Sequence, residues 1–117
     1  MVWQQAKDLA VMVYRLSKED SLGRDFGLRD QIRRSVVSIA SNIAEGDERD
    51  TDKESVHFLY IAKGSLAELR TQTEIAHEIG YLEKQSYEDI EEKCALLGKM
   101  IGGLIKVRKT GRANRGS

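Results

Sequence analysis

Two Glu-x-x-His pairs, Glu54 with His57 and Glu74 with His77, are the residues whose type and spacing point most directly to chemistry. A carboxylate and an imidazole three residues apart share one face of a helix, and carboxylate-bridged bundles use that pair twice, on facing helices, to hold two metal ions. Here both pairs fall in one predicted helix, 20 residues apart, which is about 30 Å along the axis. They cannot converge on one centre within a chain, so no metal is expected. The single cysteine, Cys94, falls on an apolar stripe and reads as a small buried apolar group. There is no Cys-His pair, nucleophile elbow or phosphate-binding glycine loop. No catalytic residue and no cofactor is therefore expected, and the chain reads as a non-enzyme.

Charge is the second candidate chemistry. The 117 residues carry 19 basic and 19 acidic side chains, so the surface as a whole does not grip a polyanion. The distribution is uneven. From Lys106 onward there are five basic residues (Lys106, Arg108, Lys109, Arg112, Arg115) and no acids, which leaves 14 basic against 19 acidic in the 105 residues before them. This tail is the first candidate for binding nucleic acid, by neutralising phosphates in a salt-sensitive, sequence-indifferent way, and Arg33 with Arg34 is the second. The competing readings are a solvated terminus for the tail, and pairing of Asp30 with Arg33 or Arg34 on the helix surface.

The elements that must position these residues are helices. There is no proline, and the chain is rich in Ala, Leu, Glu, Lys and Ile. Trp3, Ala6, Leu9 or Ala10, Val13 and Leu16 define a first helix ending near Ser17, and the polar run from Ser17 to Gly27 reads as a loop. A second helix starts near Leu28, with Ile32, Val36, Ile39 and Ile43 on its core face and Arg34, Ser38, Asn42 and Glu45 as a polar stripe. Gly46 reads as its left-handed stop. Thr51 and Glu54 have the spacing of a capping box and open a third helix, whose stripe runs through Val56, Leu59, Ala62, Leu66, Leu69, Thr73, Ala76 and Ile79 to Gly80. Ser86 reads as the N-cap of a fourth, with Tyr87, Ile90, Cys94, Leu97, Ile101 and Leu104 on its seam.

No such helix is stable alone, and short turns favour antiparallel neighbours, so the expected fold is all-α, an antiparallel up-down-up-down four-helix bundle. Residues 1–108 form the bundle in this reading and residues 109–117 a basic flexible tail. Val11, Tyr14, Val37, Phe58, Ile61, Met100 and Val107 fall off the main stripes, as scattered surface apolars or as a subunit interface. One cysteine, no apolar run long enough to span a bilayer and no secretory leader predict a cytoplasmic protein with no membrane partner.

The run LRDQIRRSVVSIASNIAEG, with Trp3 and Ala6 upstream and GSLAEL (Gly64 to Leu69) downstream, resembles the small four-helix-bundle proteins encoded in intervening sequences of large-subunit (23S) ribosomal RNA genes. The resemblance covers about Trp3 to Val107. It implies a bundle that assembles into a homo-oligomer, with a pentamer favoured, and no known catalysis. A related branch, the accessory proteins of diversity-generating retroelements, binds nucleic acid and a reverse transcriptase through a basic surface. Carried over by position, Asn42, Glu45 and Gly46 match the family's signature, Arg33 and Arg34 its basic pair, and Glu68 the acid of its third helix. The chain lacks the proline often found between the first two helices, and its acidic body departs from the accessory proteins. A structural role is favoured for Asn42 and Glu45, bonded to backbone or to Arg34, Arg49 or the third helix. The implied function is a non-enzymatic oligomeric adaptor whose partners are copies of itself and an RNA or nucleoprotein; the alternative is a protein-protein interaction scaffold with no nucleic-acid role.

Overall fold

The periodicity of the apolar residues becomes four long helices and one short one. The computed structural model describes residues 1–18 and 20–115, with side chains as far as residue 110. Its elements are α1 (Val2–Leu16), α2 (Asp20–Arg24), α3 (Phe26–Asp47), α4 (Asp52–Glu78) and α5 (Lys84–Arg115), and no strand occurs among the described residues. The core is continuous along their length: Ala6, Leu9 and Val13 of α1, Ile32, Val36, Ile39 and Ile43 of α3, Leu59, Leu69 and Ala76 of α4, and Ile90, Cys94, Leu97 and Ile101 of α5 are all buried. Each is a residue that the helical spacing places on a core stripe. Two predicted stripe residues are exposed, Trp3 at 43% and Ile79 at 53%, and Leu16, Val56, Tyr87 and Leu104 are half-buried.

Around this core α3 and α5 each pack against α1 and against α4. Along α4, residue numbers rise as those of its partners fall: Tyr60 meets Lys109, Leu66 meets Gly98 and Arg70 meets Glu91. The same holds against α3, where Ser55 meets Gly46 and Ser65 meets Ser38. The assembly is a rod of 55 × 21 × 19 Å.

The connections depart from the sequence reading in instructive ways. The run from Ser17 to Gly27 is not all loop; it holds α2, whose Leu22 is buried at 2% exposure and closes the end of the core. Gly23 is obligatory there, since a Cβ would stand 2.4 Å from the Lys18 carbonyl oxygen. Asp25, unnoticed in the sequence, caps α3 by accepting from the Leu28 amide at 3.2 Å, and its other oxygen accepts from the Tyr81 hydroxyl at 3.1 Å. One carboxylate thus starts a helix and ties it to the α4–α5 turn. Thr51 caps α4 as predicted, accepting from the Glu54 amide at 3.2 Å, but the Glu54 carboxylate meets the Thr51 hydroxyl rather than its amide, so the box is half formed.

At the other end of α4, Gly80 takes φ +87, with its amide on the His77 carbonyl and the Tyr81 amide on the Ala76 carbonyl. That is a Schellman stop, as the sequence predicts. Ser86 does not cap α5; the helix begins at Lys84, the Tyr87 amide bonds the Glu83 carbonyl, and the Ser86 hydroxyl turns to the Glu83 carboxylate. The backbone of the basic segment continues as helix through Arg115, past the residue 108 boundary drawn from the sequence.

Candidate functional site: the α3–α4 seam and the cationic side chains

The signature stretch builds a seam between α3 and α4 from small and polar groups. Ser35, Ser38, Asn42 and Gly46 recur at three, four and four residues and lie on one side of α3. Ser35 and Gly46 are buried, as are Ser55 and Ser65 opposite them on α4. Asn42 donates to the Ser38 carbonyl at 2.8 Å and to the Ser38 hydroxyl at 3.0 Å, and that hydroxyl pairs with the Ser65 hydroxyl at 2.8 Å. A hydrogen-bonded relay therefore crosses the seam, satisfying groups that would be costly to bury alone.

Gly46 serves this seam and not a left-handed turn. It is helical, followed by Asp47 and an αR cap at Glu48. A Cβ on it would sit 3.2 Å from the Ser55 carbonyl oxygen and 3.5 Å from the Phe58 Cβ. The sequence correctly marks a residue that must lack a side chain, and misassigns the reason. Glu45, by contrast, faces solvent and pairs with Arg49 at 2.6 Å, with the Arg49 guanidinium 4.4 Å from the Phe58 ring centroid. Arg34 and Glu68 are exposed and have no bonded partner among the described residues. The polar stripe read from sequence is thus split: its middle, Ser38 and Asn42, is half-buried and bonded in the seam, and its ends are in water.

The cations are also divided. Arg33 is half-buried; its Nε donates to the Ser17 hydroxyl at 2.8 Å and its guanidinium lies 4.6 Å from the Tyr14 ring centroid, so it clamps the end of α1 to α3. Asp30 pairs with Arg29 at 3.0 Å and with neither predicted arginine. Arg108 bridges to Asp47 at 3.0 Å and Lys109 donates to the Tyr60 hydroxyl at 2.9 Å. Lys106 is exposed. The side chains of Arg112 and Arg115 lie outside the described residues.

Neither Glu-x-x-His pair gathers further ligands: no cluster of three or more metal-binding side chains occurs among the described residues. His77 stacks on Tyr87 with ring centroids 4.6 Å apart, its Nδ1 3.0 Å from the Leu82 carbonyl oxygen, and His57 meets Phe58 edge-on. Burial pushes the Cys94 thiol up to about 12, which fits a core group. Among the described residues no helix is long and apolar enough to cross a membrane.

These features define an all-α protein whose polar signature joins helix to helix and whose candidate cations are divided, Arg33 beside the end of α1 and Arg108 and Lys109 beside the far end of α3 and the start of α4. The chain belongs to the 23S rRNA-intervening sequence protein family, whose model matches residues 1–103. It is similar in fold to a crystal structure of a protein of unknown function from the S23 ribosomal protein family of Bacteroides thetaiotaomicron VPI-5482, with a TM-score of 0.83 and 24% identity over 91% of this chain and 99% of that one. No curated protein matches it.

Proposed function

We propose that this protein is a non-enzymatic adaptor: an antiparallel up-down-up-down four-helix bundle that assembles with copies of itself in the cytoplasm and holds an RNA or nucleoprotein through basic side chains. The observation that carries the assembly is apolar surface left outside the core. Trp3, Val11, Tyr14 and Val37 are each 38% to 43% exposed, and on α4 Ile61, Ile75 and Ile79 are 39% to 53% exposed. Trp3 and Tyr14 lie on the side of α1 that meets Arg33, one turn before Val37. Ile61, Ile75 and Ile79 share a separate stripe of α4 beside Ser65.

Two unlike apolar patches per subunit suit head-to-tail contacts, which close into a ring where the rotation between subunits allows it. The family resemblance favours five subunits. A ring also repeats every basic side chain, so weak phosphate contacts add up. The alternative, a protein-only scaffold, draws on Arg33, Arg108 and Lys109 already having partners within the chain.

Light scattering on the full chain tests assembly, and RNA retention across a salt series, with the full chain and a chain ending at Ile105, tests binding. A ring-sized mass with retention that fades with salt and with loss of the segment supports the adaptor. A monomeric mass removes the assembly, and no retention at low salt leaves the scaffold.

A further inference from the structure

Two acid-free stretches meet on the outside of the rod. On α4 no Asp or Glu lies between Glu54 and Glu68, and on α5 none lies after Glu92. Because α4 meets α5 through Leu66 beside Gly98 and Tyr60 beside Lys109, these stretches pack side by side. In their midst is an aromatic ring that the core does not use. Tyr60 is 46% exposed, and the Lys109 ammonium sits 5.1 Å from its centroid and donates to its hydroxyl at 2.9 Å. Lys109, by hydrogen bond and then by charge, holds the phenol below its ordinary value, and Lys63 adds to the effect.

Lys53 lies seven residues before Tyr60 on the same side of α4, and lines with Asp52, Val56, Arg108 and Lys109 a cavity of about 260 Å³. Lys106, one turn before Lys109, is exposed. Gly64 and Gly102 also belong to this face. Each is helical, where glycine is a poor former, yet a Cβ on either would meet nothing within 4 Å in the chain. Packing inside the subunit does not call for them; an extended chain lying close against the helix backbones would.

We infer that this α4–α5 face binds single-stranded RNA, with an unpaired base stacked on Tyr60 and the flanking phosphates held by Lys53, Lys63, Lys106 and Lys109. The inference rests on the adaptor reading above and specifies the state of its RNA. A duplex hides the faces of its bases and offers phosphates alone, whereas an exposed aromatic ring among cations matches the pairing of stacking and charge by which single strands are held.

The test is fluorescence anisotropy of the full chain with an oligouridine strand of about 20 nucleotides and with an RNA duplex of equal length, from about 50 to about 200 mM salt. Tyr60→Leu, at an exposed site, is expected to weaken single-strand binding about tenfold with the salt slope unchanged, while Tyr60→Phe keeps the stacking surface and most of the affinity. Lys63→Gln is expected to lower the salt slope by about one phosphate contact. Salt-sensitive binding that Tyr60→Leu leaves intact, or that favours the duplex, overturns the inference and spares the adaptor reading. Absence of binding to either RNA at low salt overturns both.

Discussion

Gly46 of α3 and Ser55 of α4 are in backbone contact range: a Cβ on Gly46 would lie 3.2 Å from the Ser55 carbonyl oxygen, an atom held by its own helix. Gly46→Ala is expected to push the helices apart and to cost about 1 to 3 kcal/mol, as overpacking does. Gly64→Ala is the contrast, because its Cβ would meet nothing within 4 Å, and it should gain up to about 1 kcal/mol from helix propensity. Urea midpoints of the two variants check this. Equal stability for both would refute a packing role for Gly46.

The hydroxyl pair of Ser38 and Ser65, 2.8 Å apart, predicts a thermodynamic coupling. Ser38→Ala leaves the buried Ser65 hydroxyl without its cross-seam partner and should cost about 1 to 3 kcal/mol. The double variant Ser38→Ala with Ser65→Ala removes both ends and should recover part of that loss. A double-mutant cycle in denaturant reads the coupling, and strict additivity would show that the relay contributes nothing.

Glu45 belongs to the signature by position and yet lies at the surface, joined to Arg49 four residues on. An exposed pair of this kind contributes about 0.5 kcal/mol or less. Glu45→Ala should therefore leave the melting temperature nearly unchanged. A drop of several degrees would mean that the carboxylate is sealed in a contact that the single chain lacks.

Cys94 reports the integrity of the core. Desolvation raises its thiol to about 12, with the Glu91 charge adding and Arg70 opposing. The neutral thiol is the form the folded state favours, so its contribution to stability is present at neutral pH and fades as pH rises past the ordinary thiol value toward the folded one. At pH about 8 the native protein should resist a thiol-specific label and react at once in denaturant. Rapid labelling of the native form would show that α5 opens.

How much of this was legible before folding depends on the range of the interaction. Helix stripes, the Thr51 cap and the Gly80 stop come from contacts within a few residues, and the spacing of Ile32, Val36, Ile39 and Ile43 reads them directly. The α2 turn was missed because five residues around one apolar side chain, Leu22, have no periodicity to detect. Asp25 was missed because a capping carboxylate is recognised only once the helix start is known; the Asp25 to Leu28 spacing carried the signal.

The role of each site residue was the least legible. From the sequence Arg108 and Lys109 read as cations of a basic tail and Arg33 as a candidate partner of Asp30, yet they meet Asp47, Tyr60 and Ser17, which lie 61, 49 and 16 residues away. The amino-acid order by itself determined that this protein is helical, which face of each long helix is oily, and that Gly46 stands where a side chain is unwelcome. Only the tertiary structure decided what Gly46 makes room for, which cations are engaged within the chain, and that Tyr60 stands among lysines from two helices. The physical reason is that periodicity is set by neighbours one turn away, while the register between helices is set by the fit of many small contacts at once.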